Sequence, residues 1–320
     1  MRRLSCLLVL SIVVPGCARS TDPAGPAPEK KGTIGVSVMT TTNPFFKVIG
    51  DTITAEAGKH GYDVIVVSGD NDVSQQQRQV RDFIRRKVLA IVLCPCDSQA
   101  IGAVIQEANQ AGIPVFTADL ACMAKGPKIV QHVATDNLGG GKLAAQGMIE
   151  ALGKSGGKVV ILDYKQAESC ILRVNGFKQV IEEHNSKGDG GKITIVSELP
   201  CGGDKDMGFR AAQDALQAHP DLVGIFAIND PSALGAYTAL EKAGKTEQVK
   251  IIGFDGMPEG KQAIKEGKIY ADPIQFPDQI ASKTVAAMVA YFNGDKLEKE
   301  VLIPTSLYRK ADAEKDPSLK

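Results

Sequence analysis

The chain has 320 residues, too many for one ordinary domain and enough for two. A hydrophobic fraction of 43% lies far above the disordered range, and aromatics at 5% with no Trp leave little for ring stacking at any site. Lys plus Arg and Asp plus Glu balance at 37 each, with no basic tail and no aromatic-interleaved basic block, which excludes a nucleic-acid binder.

Arg2 and Arg3 open the chain, and Leu4 to Val14 is an apolar run broken only by Ser5 and Ser11. A membrane-spanning helix needs ~20 residues, so this run suits the h-region of a secretory signal instead. Val14-Pro15-Gly16-Cys17 ends it and resembles a bacterial lipobox, in which Cys17 becomes the lipid-modified first residue. Pro15 departs from the commoner small residue there. The alternatives are a cleaved soluble signal and a buried N-terminal strand. Residues 1–17 are therefore read as a lipoprotein signal peptide, and the location as periplasmic or extracytoplasmic with a lipid anchor to the membrane. Removing the leader takes away Arg2 and Arg3 and leaves a small surplus of acids. Residues 18–32 carry three prolines and no aromatic, so they are read as a disordered tether. No later run is long enough to span a bilayer, so the body is expected to be soluble.

Beyond the tether, short β-branched runs alternate with amphipathic ones. The pattern predicts a strand over Thr33–Met39, a helix over Pro44–Lys59, a strand over Asp63–Ser68 and a helix over Val73–Lys87. A strand at Ala90–Cys94, a helix at Ala100–Ala111 and a strand at Pro114–Thr117 follow. After a crossing near Ala134-Thr135 the rhythm restarts. Strands are predicted at Lys158–Leu162, Lys192–Leu199, Leu222–Ala227 and Val249–Phe254. Helices are predicted near Asn137–Ala151, Arg173–His184, Lys205–Ala218 and Ser232–Ala243. Runs such as Val64-Ile65-Val66-Val67 are continuously apolar, as in strands covered on both faces. The fold class is therefore α/β, with two doubly wound parallel sheets.

A weak internal repeat supports two units. Asp97-Ser98-Gln99-Ala100-Ile101-Gly102-Ala103 leads to Ala111-Gly112 and a strand ending at Asp119. Asp230-Pro231-Ser232-Ala233-Leu234-Gly235-Ala236 leads to Ala243-Gly244 and a strand ending at Asp255. Shared turn chemistry in two generic units is the alternative. Pseudo-symmetry has a consequence: both carboxylates fall past the carboxyl end of a parallel strand, where open α/β sheets bind ligands. The Gly-rich run Leu138-Gly139-Gly140-Gly141 lacks dinucleotide spacing and is read as close helix–sheet packing. The five body cysteines and four histidines show no usual metal-ligand spacing, so no metal is expected.

A site for a neutral polyol needs planar polar groups that make paired hydrogen bonds, plus one or two aromatic faces. The candidates are Asn43, Asp119, Arg173, Asn229, Asp255 and Gln275. Asn43-Pro44-Phe45-Phe46 also reads as a helix start, with Asn43 as N-cap. Of Phe45 and Phe46, adjacent on a helix, one should pack inward while the other faces the cleft.

The segments Gly35 to Phe46, Arg173-Val174-Asn175-Gly176-Phe177, Ile228-Asn229-Asp230, Gly253-Phe254-Asp255-Gly256 and Gln275-Phe276-Pro277-Asp278-Gln279, together with Asp119, resemble the periplasmic ribose-binding proteins. The resemblance runs from about Thr33 to Leu307. It implies two lobes joined by three crossover strands that close on a sugar at the hinge. It also implies lobes of 33–134 plus 276–303 and 135–275 plus 304–312. Asn43, Asp119, Arg173, Asn229, Asp255 and Gln275 match sugar hydrogen-bonding positions, and Phe45 and Phe46 match the aromatic wall. Two departures stand out. Leu120 replaces an Arg, and Cys201-Gly202-Gly203 lacks an aromatic. The ligand is thus expected to differ from D-ribopyranose: another pentose, a hexose or a sugar alcohol. With Asp119 and Asp255 ionised against Arg173 the site carries −1, which disfavours anionic sugars.

The implied function is the solute-binding subunit of a bacterial ABC sugar importer, a monomer partnered by a permease and its ATPase, without cofactors. A surface-anchored sugar sensor or chemoreceptor partner is the alternative. A carbohydrate-active enzyme would also use two carboxylates, but neither has a sequence neighbourhood that raises its pKa, so no catalysis is expected. Cysteines near the cleft are read as possible disulfides, Cys96–Cys122 and Cys170–Cys201, or as ordinary small loop residues.

Overall fold

The computed structural model describes residues 30–188 and 190–319. The signal peptide, Cys17 and the tether as far as residue 29 lie outside the described residues.

The first lobe runs β1 (Gly32–Val38), α1 (Pro44–Lys59), β2 (Tyr62–Ser68), α2 (Val73–Arg85), β3 (Ala90–Leu93), α3 (Gly102–Gln110), β4 (Val115–Ala118) and β5 (His132–Thr135). The second runs α4 (Asn137–Leu152), β6 (Gly157–Asp163), α5 (Glu168–Lys187), β7 (Ile193–Pro200), α6 (Lys205–Ala218), β8 (Leu222–Ala227), α7 (Asp230–Ala243), β9 (Lys250–Ile252), α8 (Pro258–Lys265) and β10 (Ala271–Pro273). The chain then returns to the first lobe for α9 (Pro277–Phe292) and β11 (Glu300–Ile303). It ends in the second with β12 (Leu307–Arg309) and α10 (Lys310–Ala313).

Each lobe holds a six-stranded sheet, in the orders β11-β5-β4-β3-β1-β2 and β12-β10-β9-β8-β6-β7. All pairings are parallel except β12 with β10. The chain thus passes between sheets three times: after β5, after β10 and after β11. Every residue of β3 and β4 is buried, because helices cover both faces of a parallel sheet. β5 is a paired strand where the pattern predicts only a crossing; its four residues are too few to show a period. α5 begins at Glu168, a full turn before the expected Arg173.

Helix starts follow side-chain capping. Asn43, Asp72, Asp136, Asp204 and Asn229 each accept a backbone N–H of the first turn. The two related segments end alike, with Gly112 at φ 76° and Gly244 at φ 64°. They begin differently. Asp97 caps from outside α3 through Gln99 N and Ala100 N, whereas Asp230 lies inside the first turn of α7.

The Gly-rich run serves helix–helix contact more than helix–sheet packing. A Cβ on Gly141 would stand 2.0 Å from the Arg173 carbonyl, and one on Gly176 2.2 Å from that of Leu138. α4 and α5 therefore touch backbone to backbone. Gly140 instead faces the Phe254 ring, and Gly139 faces the Asp136 carboxylate that caps its own helix. Gly141→Ala is expected to destabilise the chain by about 1–3 kcal/mol, since α5 must shift to admit the methyl group. Urea unfolding measures this, and an unchanged midpoint contradicts it.

Candidate ligand-binding site

The carboxyl ends of the two sheets face each other across a cavity of about 500 Å3. All eight residues singled out in the sequence line it: Asn43, Phe45, Phe46 and Asp119 from the first lobe, Arg173, Asn229, Asp255 and Gln275 from the second.

Asp119 follows β4 directly, at φ 68°, and Asp255 follows β9, at φ 104°. Both conformations are costly for a residue with a side chain, about 1–3 kcal/mol each, and persist only under restraint. The restraints are visible. Asp119 N donates to Val133 O at 2.9 Å, and Asp255 N to Pro273 O at 3.1 Å. Gln275 N donates back to Asp255 O at 2.8 Å, tying the carboxylate loop to the second crossing.

Arg173 is 3% exposed and heavily engaged. Its Nε donates to Asn137 Oδ1 at 2.8 Å, and its Nη1 donates to Ile228 O at 2.8 Å and Asp255 Oδ1 at 3.3 Å. The guanidinium carbon lies 3.9 Å from the centre of the Phe254 ring. Gln275 Nε2 donates to the same Asp255 oxygen at 2.6 Å. Asn229 Oδ1 accepts from Ser232 N and Oγ, while its Nδ2 donates to Gly203 O. Asn43 Oδ1 accepts from Phe45 N, so both asparagines cap helices at the cavity wall.

Asp119 Oδ1 and Gln275 Oε1 are buried acceptors that meet no donor among the described residues. Burial pushes the Asp119 carboxyl up to about 7 against the pull of Arg173. Burial likewise pushes Asp255 up to about 6, opposed by Arg173 and Gln275. This corrects the expectation that both carboxyls titrate normally and that the site carries a full −1. Burial is long-range information that neighbours in sequence do not carry.

Phe45 and Phe46 are both buried, at 2% and 6% exposure, and meet edge to face at 5.3 Å. The expected division into one inward and one cleft-facing ring is not seen. The first turn of α1 sits at the junction of core and cavity, so both rings belong to each.

The lobes also meet along the rim. Tyr164 Oη donates to Cys96 O at 3.2 Å, Ser98 N to Gln166 O at 2.9 Å, and Glu168 N to Ser98 Oγ at 3.1 Å. The clamp is closed. Asn137, Phe254, Tyr164 and Ser98 escaped sequence reading. Asn137 and Ser98 carried one faint signal, each lying in a helix-leading turn of a lobe.

All five body cysteines are free thiols, so neither Cys96–Cys122 nor Cys170–Cys201 is bridged. Cys96 packs in the main core with its Sγ 3.5 Å from Met39 O, while Cys122 packs against the separate core beneath α2 and α3. Cys201 Sγ lies 3.2 Å from Ser232 Oγ instead. Among the described residues, no group of three His, Cys, Asp or Glu is placed to hold a metal ion. No described helix is long and apolar enough to cross a membrane.

Comparison with known proteins places this geometry. A family profile described as the periplasmic binding protein domain matches residues 34–296. The chain is 36% identical over 278 residues to the ribose import binding protein RbsB of Salmonella typhimurium, covering 87% of this chain and 90% of that one. It superposes with a TM-score of 0.80 on an ABC transporter periplasmic solute binding protein from Actinobacillus succinogenes with bound D-allose, at 28% identity, covering 89% of this chain and all of that one. A Bacillus halodurans ABC transporter solute binding protein with bound myo-inositol superposes with a TM-score of 0.79, at 27% identity, covering 91% and 98%.

Proposed function

Since the chain belongs to the periplasmic binding protein family, we propose that it is the solute-binding subunit of an ABC importer for a neutral monosaccharide or sugar alcohol, which it captures by closure of its two lobes. Family membership places its work outside the cytoplasm.

The observation that carries the ligand class is the pair of orphaned acceptors. Leaving a buried acceptor unpaired costs about 1–3 kcal/mol, and the hydroxyls of a polyol supply the missing donors. Among the described residues the one buried Lys or Arg, Arg173, already serves Asn137, Ile228 and Asp255. Lys205, the other cation that lines the cavity, is exposed to water, so the site favours a neutral ligand over a phosphate or carboxylate. Leu120 and the Gly202-Gly203 turn line the cavity as apolar wall and open backbone, which favours a ligand gripped differently from a ribopyranose. The subunit binds its solute without changing it, as a monomer, and Cys17 anchors it by lipid with residues 18–29 as spacer.

A thermal-shift screen of D-ribose, D-allose, other pentoses and hexoses, myo-inositol and sugar phosphates tests this. At a thousandfold excess over Kd a true ligand adds about 4 kcal/mol, which raises Tm by several degrees. The neutral compounds should include the hit. A shift confined to the phosphates, or none at all, overturns the assignment.

A further inference from the structure

Asp230 opens α7 and Asp272 is the middle residue of β10, and both are buried, at 3% and 0% exposure. Each carboxyl lies within the other's hydrogen-bonding reach, although neither can donate while ionised. Asp230 Oδ2 also accepts from Met257 N at 2.7 Å. Asp230 Oδ1 and both Asp272 side-chain oxygens meet no protein donor among the described residues. An ionised carboxylate offers only acceptors, so two facing each other can bond only if one is protonated.

Among the described residues the charged groups that act most on the pair are the two carboxyls themselves and Asp255, all of one sign. Arg173 is bonded to Asp255 instead. Two glycine backbones close the surroundings. A Cβ on Gly260 would lie 2.2 Å from Asp230 Oδ1, and one on Gly253 2.5 Å from Asp272 Oδ1. The side chains have little room to turn away from each other.

We propose that Asp230 and Asp272 share one proton, and that this carboxyl–carboxylate bond is the fastening that positions Asp255 in the cavity wall. The pair joins three pieces of the second lobe. α7 carries Asn229 at its cap, the loop around Met257 carries Asp255, and β10 leads into Gln275. Asp255 sits at φ 104° and needs such outside restraint. Asp230 and Asp272 are positioning residues in this scheme, acting through Asp255. The role toward ligand rests on the function proposed above; the shared proton does not.

The pair leaves a signature in pH dependence. Burial and mutual repulsion raise Asp230 above its ordinary value, so the folded chain keeps a proton that the unfolded chain has lost by about pH 5. Stability then falls as pH rises through the neutral range. Asn at position 230 supplies a permanent N–H donor to Asp272, and its Oδ1 can still accept from Met257 N.

The test is urea unfolding of the ligand-free chain between about pH 5.5 and 7.5, comparing wild type with Asp230→Asn and Asp272→Asn. The folding equilibrium constant of wild type should fall about tenfold per pH unit relative to either variant. Asp119 titrates in all three proteins and cancels; Asp255 feels the pair, so the same comparison is repeated on an Asp255→Asn background. Parallel pH profiles overturn the proposal. If neither variant folds, the infrared spectrum of Asp119→Asn at about pH 7 decides: a protonated-carboxyl band is expected, and its absence overturns the proposal. No ligand enters, so an empty sugar screen leaves this result independent.

Discussion

Arg173→Ala is expected to abolish ligand binding and to cost the fold about 3–5 kcal/mol as well. The loss is not of one contact. Removing the guanidinium leaves the Asp255 carboxyl buried with Gln275 as its remaining side-chain donor, and strips donors from Asn137 Oδ1 and Ile228 O. It also empties the face of the Phe254 ring. Arg173→Lys should rescue little, because an ammonium is a point charge and cannot serve three partners in fixed directions. Urea unfolding and the ligand-induced thermal shift read the two effects separately. A variant that keeps the wild-type midpoint would show that Arg173 faces the ligand alone.

Ligand affinity should rise with pH and level off near neutrality, through Asp119. Its carboxyl titrates at about 7 because burial disfavours the charge. Hydroxyl donors favour the ionised form, so a bound polyol pulls that value down. Below about pH 7 the association constant should therefore climb close to tenfold per pH unit, and near pH 6 each binding event should release close to one proton. Calorimetry in buffers of different ionisation enthalpy counts that proton. Without ligand the sign reverses. The raised native value gives stability that is full below about pH 4, the ordinary range of an unfolded Asp, and drains as pH climbs toward 7. Asp119→Asn should flatten the affinity profile and make the stability profile shallower, leaving the fall that the Asp230–Asp272 pair causes. Wild-type affinity that is constant from about pH 5 to 7 would refute the hydroxyl–carboxylate contact.

The strand ends were the legible part of this site. Asp119 and Asp255 each follow an apolar run that can only be a covered strand, so their place at a sheet's carboxyl end follows from local pattern. Arg173 was legible as a cavity residue but not as a structural one. Its partners Asn137, Ile228 and Asp255 lie 36, 55 and 82 residues away, and nothing local foretells them. The raised carboxyl values were hidden for the same reason, since desolvation depends on what the whole fold brings near. Asp272 was not legible either, because β10 is only three residues long and shows no strand period. The cysteines misled because closeness to the cleft along the chain does not fix which side of the sheet a thiol occupies. Cys96 and Cys122 lie in different cores.

The rim contacts of Tyr164, Ser98 and Glu168 divide the labour of capture. These bonds run from lobe to lobe, and Ser98 and Glu168 stand outside the cavity lining, so they set how often the jaws rest shut when nothing is held. A shift of about 1.4 kcal/mol there changes the resting ratio of shut to open tenfold and moves apparent affinity for every solute by a common factor. Strength of grip and choice of cargo then sit on separate residues. Selection can retune the concentration at which uptake begins without altering what is taken up.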